Sequence, residues 1–354
     1  MDSSWTLWLP ATGLLWVVLL GWCLWLLPRW SRPGLFFAVS VAEDFPEGPT
    51  ARAILSFYRR WTVGATAALL AVGVLALSGP GELAVWTHLL LLPQLAAFTW
   101  IYLRTRHRVL PHAAKREGAE TRTWQPLRRL PGGWLGQAGP FVLLAAAGAW
   151  MAARRDGLPG EIPVHYGPDL AADAWATPSW AILLGPALLG AATCAGVQLM
   201  AWGMLRWGRA PAGPRQAERL ELMLETLLAV NYLVALVVVA VGAAMLRPAE
   251  GPLLVVLLMV VPEALALALL VWLLVRFRRL RPASTAAGAL GDGTDDRYWK
   301  AGLVYYNPDD PTIFIEKRFG IGYTMNMARP ATWWLLGAVI GLPLLVALLL
   351  GLLG

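Results

Sequence analysis

The sequence predicts an all-α polytopic membrane protein with about eight transmembrane helices and a small cytoplasmic cap that contains a β-hairpin. Hydrophobic residues make up 58% of the 354 residues and charged residues only 14%, and the mean hydropathy is +0.56. A soluble domain usually has about 25% charged residues, so a purely water-soluble protein is excluded. No internal repeat is present, which excludes fibrous and solenoid architectures.

Eight uncharged stretches have the length, roughly 20 residues, that crosses a bilayer core. They cover residues 7–27, 61–77, 83–103, 138–153, 179–202, 227–246, 253–275 and 332–353. The fourth is short and ends at Arg154 and Arg155, whose side chains have to snorkel to the interface. The first is neither preceded by basic residues nor followed by a small-residue cleavage site. We therefore expect it to stay as a helix and not to be removed as a signal peptide.

The basic residues alternate between loops. All but Arg154, Arg155 and Arg247 of the 29 Lys and Arg residues fall in the loops after the first, third, fifth and seventh predicted spans. Because basic loops are retained in the cytoplasm, we expect both termini outside a bacterial cytoplasmic (inner or plasma) membrane. The net charge of +7 then fits contact with anionic lipid and requires no nucleic acid.

The predicted organisation follows from these spans. Its segments are the first helix (1–27), a strand-like loop with an amphipathic elbow (28–60), helices 2 and 3 (61–103), a basic loop (104–137), helices 4 and 5 with an outward loop (138–207), a cytoplasmic loop (208–226), helices 6 and 7 (227–275), a flexible linker (276–297), a cytoplasmic hairpin segment (298–330) and helix 8 (331–354).

The outward loop between the fourth and fifth spans carries a polar motif. His165, Asp169 and Asp173 recur every four residues, but Pro168 disfavours the helix that would align them. One His with two carboxylates lacks the His pairs or Cys set of usual metal sites, so no metal is predicted. A ligand-contacting loop and a structural turn both remain open.

Residues 163–167, Pro-Val-His-Tyr-Gly, and the later Asp173-Ala-Trp175 resemble the Pro-x-His-aromatic and Pro-Asp-x-Trp signature of a membrane family, domain of unknown function 1648. That family includes SdpI-like bacteriocin immunity proteins. The resemblance implies that His165, Asp169, Asp173 and Trp175 contact an outside ligand or partner.

The segment 298–330 is predicted to form a cytoplasmic hairpin. Residues 303–306 and 312–316 are β-branched and aromatic, and Asn307-Pro-Asp-Asp-Pro311 between them is a turn, with a further extended piece after Gly322. Two carboxylates in a turn are weak evidence for a cation site. Gly320-Ile-Gly322 lacks the Lys-Ser/Thr ending of a phosphate loop.

This segment is similar to a second family, domain of unknown function 5808, which has a Trp-Lys start, a Tyr-Asn-Pro-Asp-Asp-Pro turn and a Gly-x-Gly-aromatic-Thr-x-Asn end. The resemblance implies association with the first family and brings no defined chemistry. The residues that carry it here are Trp299, Tyr306, Asn307, Asp309, Asp310, Gly320, Gly322 and Asn326.

The first cytoplasmic loop is also strand-like over residues 34–46. Residues 50–61 then approach the second helix as an amphipathic stretch, with Ile54, Tyr58 and Trp61 at helical spacing. We hypothesise that this loop and the segment 298–330 pack together as one cap.

Polar residues inside the predicted spans are functional candidates because the bilayer penalises them. Glu263, next to Pro262, lies near the middle of the seventh span. His88, Gln94, Gln198 and Asn231 are its possible partners. Two readings stay open, a proton path through Glu263 and ordinary hydrogen bonds between helices.

No catalytic signature is present, so we predict neither catalytic residues nor a cofactor. The expected function is binding: immunity against, or sensing of, antimicrobial peptides outside, with a regulator or transporter subunit inside. The alternative is a proton-linked transporter or an accessory subunit of an exporter. A membrane enzyme acting on lipid or peptidoglycan precursors, and a plain scaffold, also remain open.

Overall fold

The computed structural model describes residues 8–31, 34–77, 86–114, 129–166, 172–208, 214–246, 252–280 and 295–353. Helices dominate this part of the chain. They are α1 (Trp8–Leu26), α2 (Pro49–Leu77), α3 (Leu91–Val109), α4 (Gly133–Ala153), α5 (Trp180–Trp207), α6 (Pro214–Leu246), α7 (Pro252–Arg279) and α8 (Pro330–Leu353).

The chain divides into two compact units. The first contains Met1–Thr121, Pro282–Asn307 and Ile315–Met325, and the second contains Arg122–Arg281, Pro308–Phe314 and Asn326–Gly354. Each unit therefore combines a helical bundle with pieces of the segment before α8.

Seven helices of the described part, all except α3, are long and apolar enough to cross a membrane. The protein is thus a helical multi-pass membrane protein, as its composition predicts. The helix α3 carries Arg104, Arg106 and Arg108 within only 19 residues, whereas a longer helix such as α2 also contains an apolar stretch of sufficient length beside its arginines. Its predicted span also begins at residues 83–85, outside the described residues, so the eighth span and the orientation of the termini stay predictions.

In the first unit, α3 packs alongside both α1 and α2. Gln94 bonds the Thr66 hydroxyl of α2 at 3.3 Å, and four residues later the Phe98 ring lies 6.4 Å from that of Tyr58. Residues later in α3 therefore contact residues earlier in α2, so the two helices are antiparallel. Gln94 also donates to the Val17 carbonyl of α1 at 2.9 Å. This packing along two spans favours the eighth crossing.

The amphipathic stretch predicted at 50–61 is the first part of α2 and not a separate elbow. Ala51, Ile54, Tyr58 and Thr62 are buried at helical spacing, and the helix continues without a break to Leu77. Its 29 residues measure roughly 43 Å, more than the 30 Å or so of a bilayer core. We infer that the N-terminal turns of α2 extend beyond the hydrocarbon.

Short strands form hairpins in the first unit. The strands β1 (Leu35–Phe36) and β2 (Val39–Ser40) pair antiparallel. Phe37 and Ala38 between them both have positive φ, the backbone of two-residue hairpin turns. The strand-like character predicted for the first loop is therefore confirmed.

The strands β3 (Ile162–Tyr166) and β4 (Ala172–Ala176) form a hairpin in the loop between α4 and α5, which is predicted to face outward. Four more strands lie in the segment before α8: β5 (Trp299–Lys300), β6 (Val304–Tyr305), β7 (Phe314–Glu316) and β8 (Tyr323–Met325). The strand β8 confirms the extended piece predicted after Gly322.

The strand pairing predicted across residues 307–311 is wrong. The strand β6 pairs with β5, and β7 pairs with β8, so there are two hairpins in place of one. The positive-φ residues that close tight turns are Ala301 and Gly302 in the first hairpin and Gly320 and Gly322 in the second. The turn rich in Pro and Asp connects the hairpins.

In the second unit α4, α5 and α6 share a buried core. Leu144 and Met151 of α4, Ala187 and Cys194 of α5 and Val238 of α6 form its centre. A Cβ on Gly190 of α5 would come within 2.8 Å of Leu144, so the helices approach closely at that glycine. Helix α8 packs on α5, and α7 packs on α6.

Candidate functional sites

The outward motif forms a hairpin anchored to its unit by one apolar residue. Ile162 is fully buried against Leu183 and Met245. The register places Trp175 opposite Pro163 and Ala174 opposite His165, with an irregularity on each side of His165. The motif is therefore strand and not helix. Asp169 lies outside the described residues.

The exposed face of β4 presents an acid and an aromatic side chain. Alternate residues of a strand share one face, and burial alternates along β4 so that Asp173 and Trp175 are the exposed pair. Trp175 is 51% exposed, and Val164 of β3 is 43% exposed. Among the described residues no group of three His, Cys, Asp or Glu could hold a metal.

The polar residues inside the helices make hydrogen bonds between neighbouring helices. In the second unit Asn231 Nδ2 donates to the Cys194 carbonyl at 3.3 Å, and Cys194 Sγ donates to the Asn231 carbonyl at 3.5 Å. In the first unit His88 Nε2 lies 3.3 Å from Thr12 Oγ1, and Gln94 bonds α1 and α2 as described above. Such bonds are worth about 0.6 kcal/mol each in membrane bundles.

Glu263 lies half-buried in α7, directly after Pro262. The hydrogen bonds of Asn231 go to α5, so the structure does not pair Asn231 with Glu263. About three and a half turns after Glu263, Arg276 of α7 lies 4.0 Å from Glu225 of α6. Glu263 remains a candidate on its position alone.

A buried ion pair lies where two distant segments of the first unit meet. The Arg318 side chain is fully buried and pairs with Asp296, which is 27% exposed. Asp296 also accepts from the Ser40 hydroxyl at 2.7 Å and the Ser40 amide at 3.2 Å. Since Ser40 belongs to β2, these two hydrogen bonds connect the first loop to the ion pair in the segment before α8.

A second buried guanidinium supports the same junction. Arg106 of α3 is 8% exposed and donates to the carbonyls of Phe37 and Ala38 at 3.3 and 3.1 Å. Burial lowers the pKa of Arg106, and the Arg318 charge lowers it further, while Asp296 opposes both effects. One carboxylate thus stands near two buried cations, which makes the loss of that carboxylate costly.

Aromatic packing completes the contact between the first loop and the later segment. The Phe37 ring stacks on Phe319 with centroids 5.3 Å apart, and Phe319 lies 4.7 Å from Tyr102. Tyr102 also donates to the Ala301 carbonyl at 3.1 Å. The two segments predicted to form one cap are therefore in contact, and their cytoplasmic location stays a prediction.

Sequence reasoning missed the residues that make this junction. Asp296 was assigned to a flexible linker, and Arg106 and Arg318 were counted only as basic loop residues. The available signal was that the three consecutive charged residues Glu316-Lys-Arg318 are flanked by apolar ones, with Ile313-Phe-Ile315 before them and Phe319 after them. Such flanks are typical of a buried segment, where a charge needs a partner.

The polar residues of the motif in 298–330 mostly build turns. In the first unit Asn307 Nδ2 donates to the Tyr305 hydroxyl at 3.0 Å. In the second unit Asp310 Oδ1 accepts from the Thr312 amide at 2.9 Å, the local hydrogen bond for which Asp favours turns. Asn326 Nδ2 donates to the Asp310 carbonyl at 3.0 Å.

The remaining motif residues differ in exposure. Trp299 is 2% exposed, beneath the Arg318 guanidinium at 5.1 Å, whereas Tyr306 is 47% exposed and Asp309 is exposed. Thr332, at the start of α8, donates to the Asn326 carbonyl at 2.7 Å. The motif therefore folds the chain into α8 and leaves Tyr306 and Asp309 at the surface.

Comparison with known proteins identifies this segment. A family of unknown function, DUF5808, matches residues 308–333. This confirms the predicted resemblance of the C-terminal segment, while that of residues 163–175 stays a prediction. No curated protein and no solved structure matches the chain. The molecule is thus a multi-pass membrane protein in which a short segment, residues 308–333 at the start of its last helix, is similar to the DUF5808 family.

Proposed function

We propose that this protein binds membrane-active peptides at the outer surface of a bacterial cytoplasmic membrane and acts in immunity or sensing. The observation that carries the proposal is the exposed pair Asp173 and Trp175 on one face of a hairpin that is anchored to a membrane bundle. The SdpI-like resemblance of residues 163–175 supports the same reading.

The chemistry of this face suits a cationic amphipathic peptide. The Asp173 carboxylate offers a charge partner for a basic side chain, and the Trp175 ring offers apolar area that is already ordered by the strand. An exposed charge pair is worth only about 0–1 kcal/mol, so the aromatic contact is the larger contribution. Binding without turnover fits a chain in which no catalytic signature is found.

The test is depolarisation, followed with a potential-sensitive dye, of cells challenged with pore-forming peptides. Cells that produce the protein should depolarise less, and Trp175→Ala and Asp173→Asn should remove much of that protection. His165→Ala tests the other motif residue of this hairpin.

Matched controls lie close by in sequence. Trp180 is 52% exposed at the start of α5, so Trp180→Ala removes a comparable indole outside the hairpin. Asp156 is fully exposed, and Asp156→Asn removes a comparable charge. Equal loss of protection in the controls, or no protection from the wild type, would refute the peptide-binding function.

The second candidate is a proton-linked transporter or an accessory exporter subunit, favoured by a half-buried Glu263 beside Pro262 within a span. Glu263→Gln should then abolish proton-coupled transport, measured as dissipation of a pH gradient in proteoliposomes. Glu225→Gln, which removes another carboxylate of a spanning helix, is the control. An unchanged rate in Glu263→Gln would exclude the proton path.

A further inference from the structure

One end of the first unit carries a collar of arginines stacked on aromatic rings. Arg104 lies over Trp100 at 5.5 Å and Arg108 over Phe57 at 3.6 Å. The Trp61 ring lies 5.8 Å from Trp100. Exposed tryptophans with basic residues are typical of the membrane–water interface, so this collar marks the level at which lipid headgroups meet the unit.

Trp25 of α1 differs from the other rings because it carries two guanidinium groups. Arg29 lies 4.9 Å and Arg59 lies 4.6 Å from its centroid. Both guanidinium carbons are within 5 Å of one point, so they are at most about 10 Å apart, a distance at which like charges repel.

The repulsion between Arg29 and Arg59 is not relieved within the described residues. Neither guanidinium pairs there with a carboxylate or donates a hydrogen bond, and Arg59 Nε is buried without an acceptor. Ser31, two residues after Arg29, has a buried hydroxyl that also lacks a partner in this part of the chain. Each guanidinium offers up to five donors, so unused donors and positive charge concentrate around one indole ring.

We propose that Arg29 and Arg59, held on Trp25, bind the phosphate group of an anionic phospholipid at the membrane interface. Arginine forks match phosphate oxygens in bidentate geometry, and one phosphate between two guanidiniums converts their repulsion into attraction. The ring restricts both side chains before the lipid arrives, which lowers the entropy cost of binding. The headgroup of a lipid is favoured over free phosphate because the pair lies at the level of the collar.

The chain provides a matched comparison for this site. The double variant R29Q/R59Q and the double variant R104Q/R108Q each remove two positive charges from the collar, but only the first removes the pair on a shared ring. R29K/R59K keeps both charges and loses the bidentate donors.

The experiment is native mass spectrometry of the full chain in detergent, with phosphatidylglycerol, phosphatidylcholine or inorganic phosphate added. We expect the wild type to retain phosphatidylglycerol in preference to phosphatidylcholine. R29Q/R59Q should weaken that retention about tenfold or more, R104Q/R108Q by much less, and R29K/R59K by an intermediate factor.

The three added compounds distinguish a lipid phosphate from free phosphate. Displacement of phosphatidylglycerol by millimolar inorganic phosphate would assign the site to free phosphate and overturn its assignment to lipid. Equal losses of phosphatidylglycerol retention in R29Q/R59Q and R104Q/R108Q would show that only the total positive charge matters, and would overturn the proposal. Absence of retained lipid in the wild type would overturn it as well. Circular dichroism and gel filtration verify that each variant is folded.

Discussion

The substitution Asp296→Asn removes one charge from the junction of the first unit and leaves its shape almost unchanged. Asp296 is the carboxylate paired with the fully buried Arg318, and it also accepts two hydrogen bonds from Ser40. An amide in its place still accepts a hydrogen bond, but it removes the negative charge that faces the buried Arg318 guanidinium.

The expected cost follows from the loss of that ion pair. Removal of one partner of a buried ion pair costs about 3–5 kcal/mol. Asp296 is 27% exposed, so water relieves part of this cost, and we expect about 2–3 kcal/mol. Asp295→Asn is the matched control, because Asp295 and Arg297 form an exposed pair with side chains 57% and 69% exposed. Asn can accept from the Arg297 amide as Asp295 does, so this variant loses only the exposed pair, which is worth about 0–1 kcal/mol.

The measurement is hydrogen exchange of backbone amides in the two segments that Asp296 joins. The Tyr306 amide bonds the Tyr298 carbonyl at 2.8 Å, and the Val41 amide bonds the Gly34 carbonyl at 3.1 Å. A loss of 2–3 kcal/mol in a cooperative opening accelerates exchange about 30- to 150-fold. Both segments should accelerate in Asp296→Asn and neither substantially in Asp295→Asn. Equal exchange in the two variants would refute the reasoning.

Two further predictions concern glycines. Gly302→Ala should destabilise the first unit by about 2–4 kcal/mol, because φ of Gly302 is +74° and the new Cβ would lie 2.6 Å from the Tyr102 hydroxyl. Thermal unfolding in detergent measures this loss of stability. An unchanged unfolding temperature would contradict the prediction. Gly139→Ala should loosen α4 from α6, since its Cβ would lie 2.0 Å from the Tyr232 hydroxyl. Gly64→Ala, which meets nothing within 4 Å, should instead stabilise by about 0.5–1 kcal/mol. The same sign for Gly139→Ala and Gly64→Ala in thermal unfolding would contradict this packing.

The membrane class and most spans were accessible from sequence because they depend on local composition. An apolar stretch of sufficient length enters the bilayer as a helix since its backbone groups must bond within the segment. The third helix shows the limit of this rule. Its arginines at 104, 106 and 108 reduce its apolar character, and although the helix packs along α1 and α2, its crossing of the membrane stays a prediction.

The hairpins show a second limit. Strand propensity located residues 304–305 and 314–316 but assigned them to each other across the conspicuous Pro-rich turn. The tight turns form where φ is positive, at Gly302 and Gly320 among others. The glycines at those positions are visible in the sequence, but the Asn-Pro-Asp-Asp-Pro stretch is the stronger turn signal and therefore decided the predicted pairing.

For the candidate sites, the sequence indicated which residues are candidates, and the fold decided which other residues they contact. His165, Asp173 and Trp175 were found as a motif, yet their strand register determined that Asp173 and Trp175 share an exposed face. Asn231 was proposed as a partner of Glu263, and the packing of α6 on α5 directs its amide to Cys194.

By itself the sequence determined which segments are apolar enough for the membrane, where the basic residues lie, and that residues 298–330 resemble a known family segment, because each property is local. Only the tertiary structure decided that Asp296 meets Ser40, 256 residues away, and that Arg318 is buried beside them. Contacts of that separation depend on which long loops close and which faces pack, and these are properties of the whole fold that no local pattern encodes.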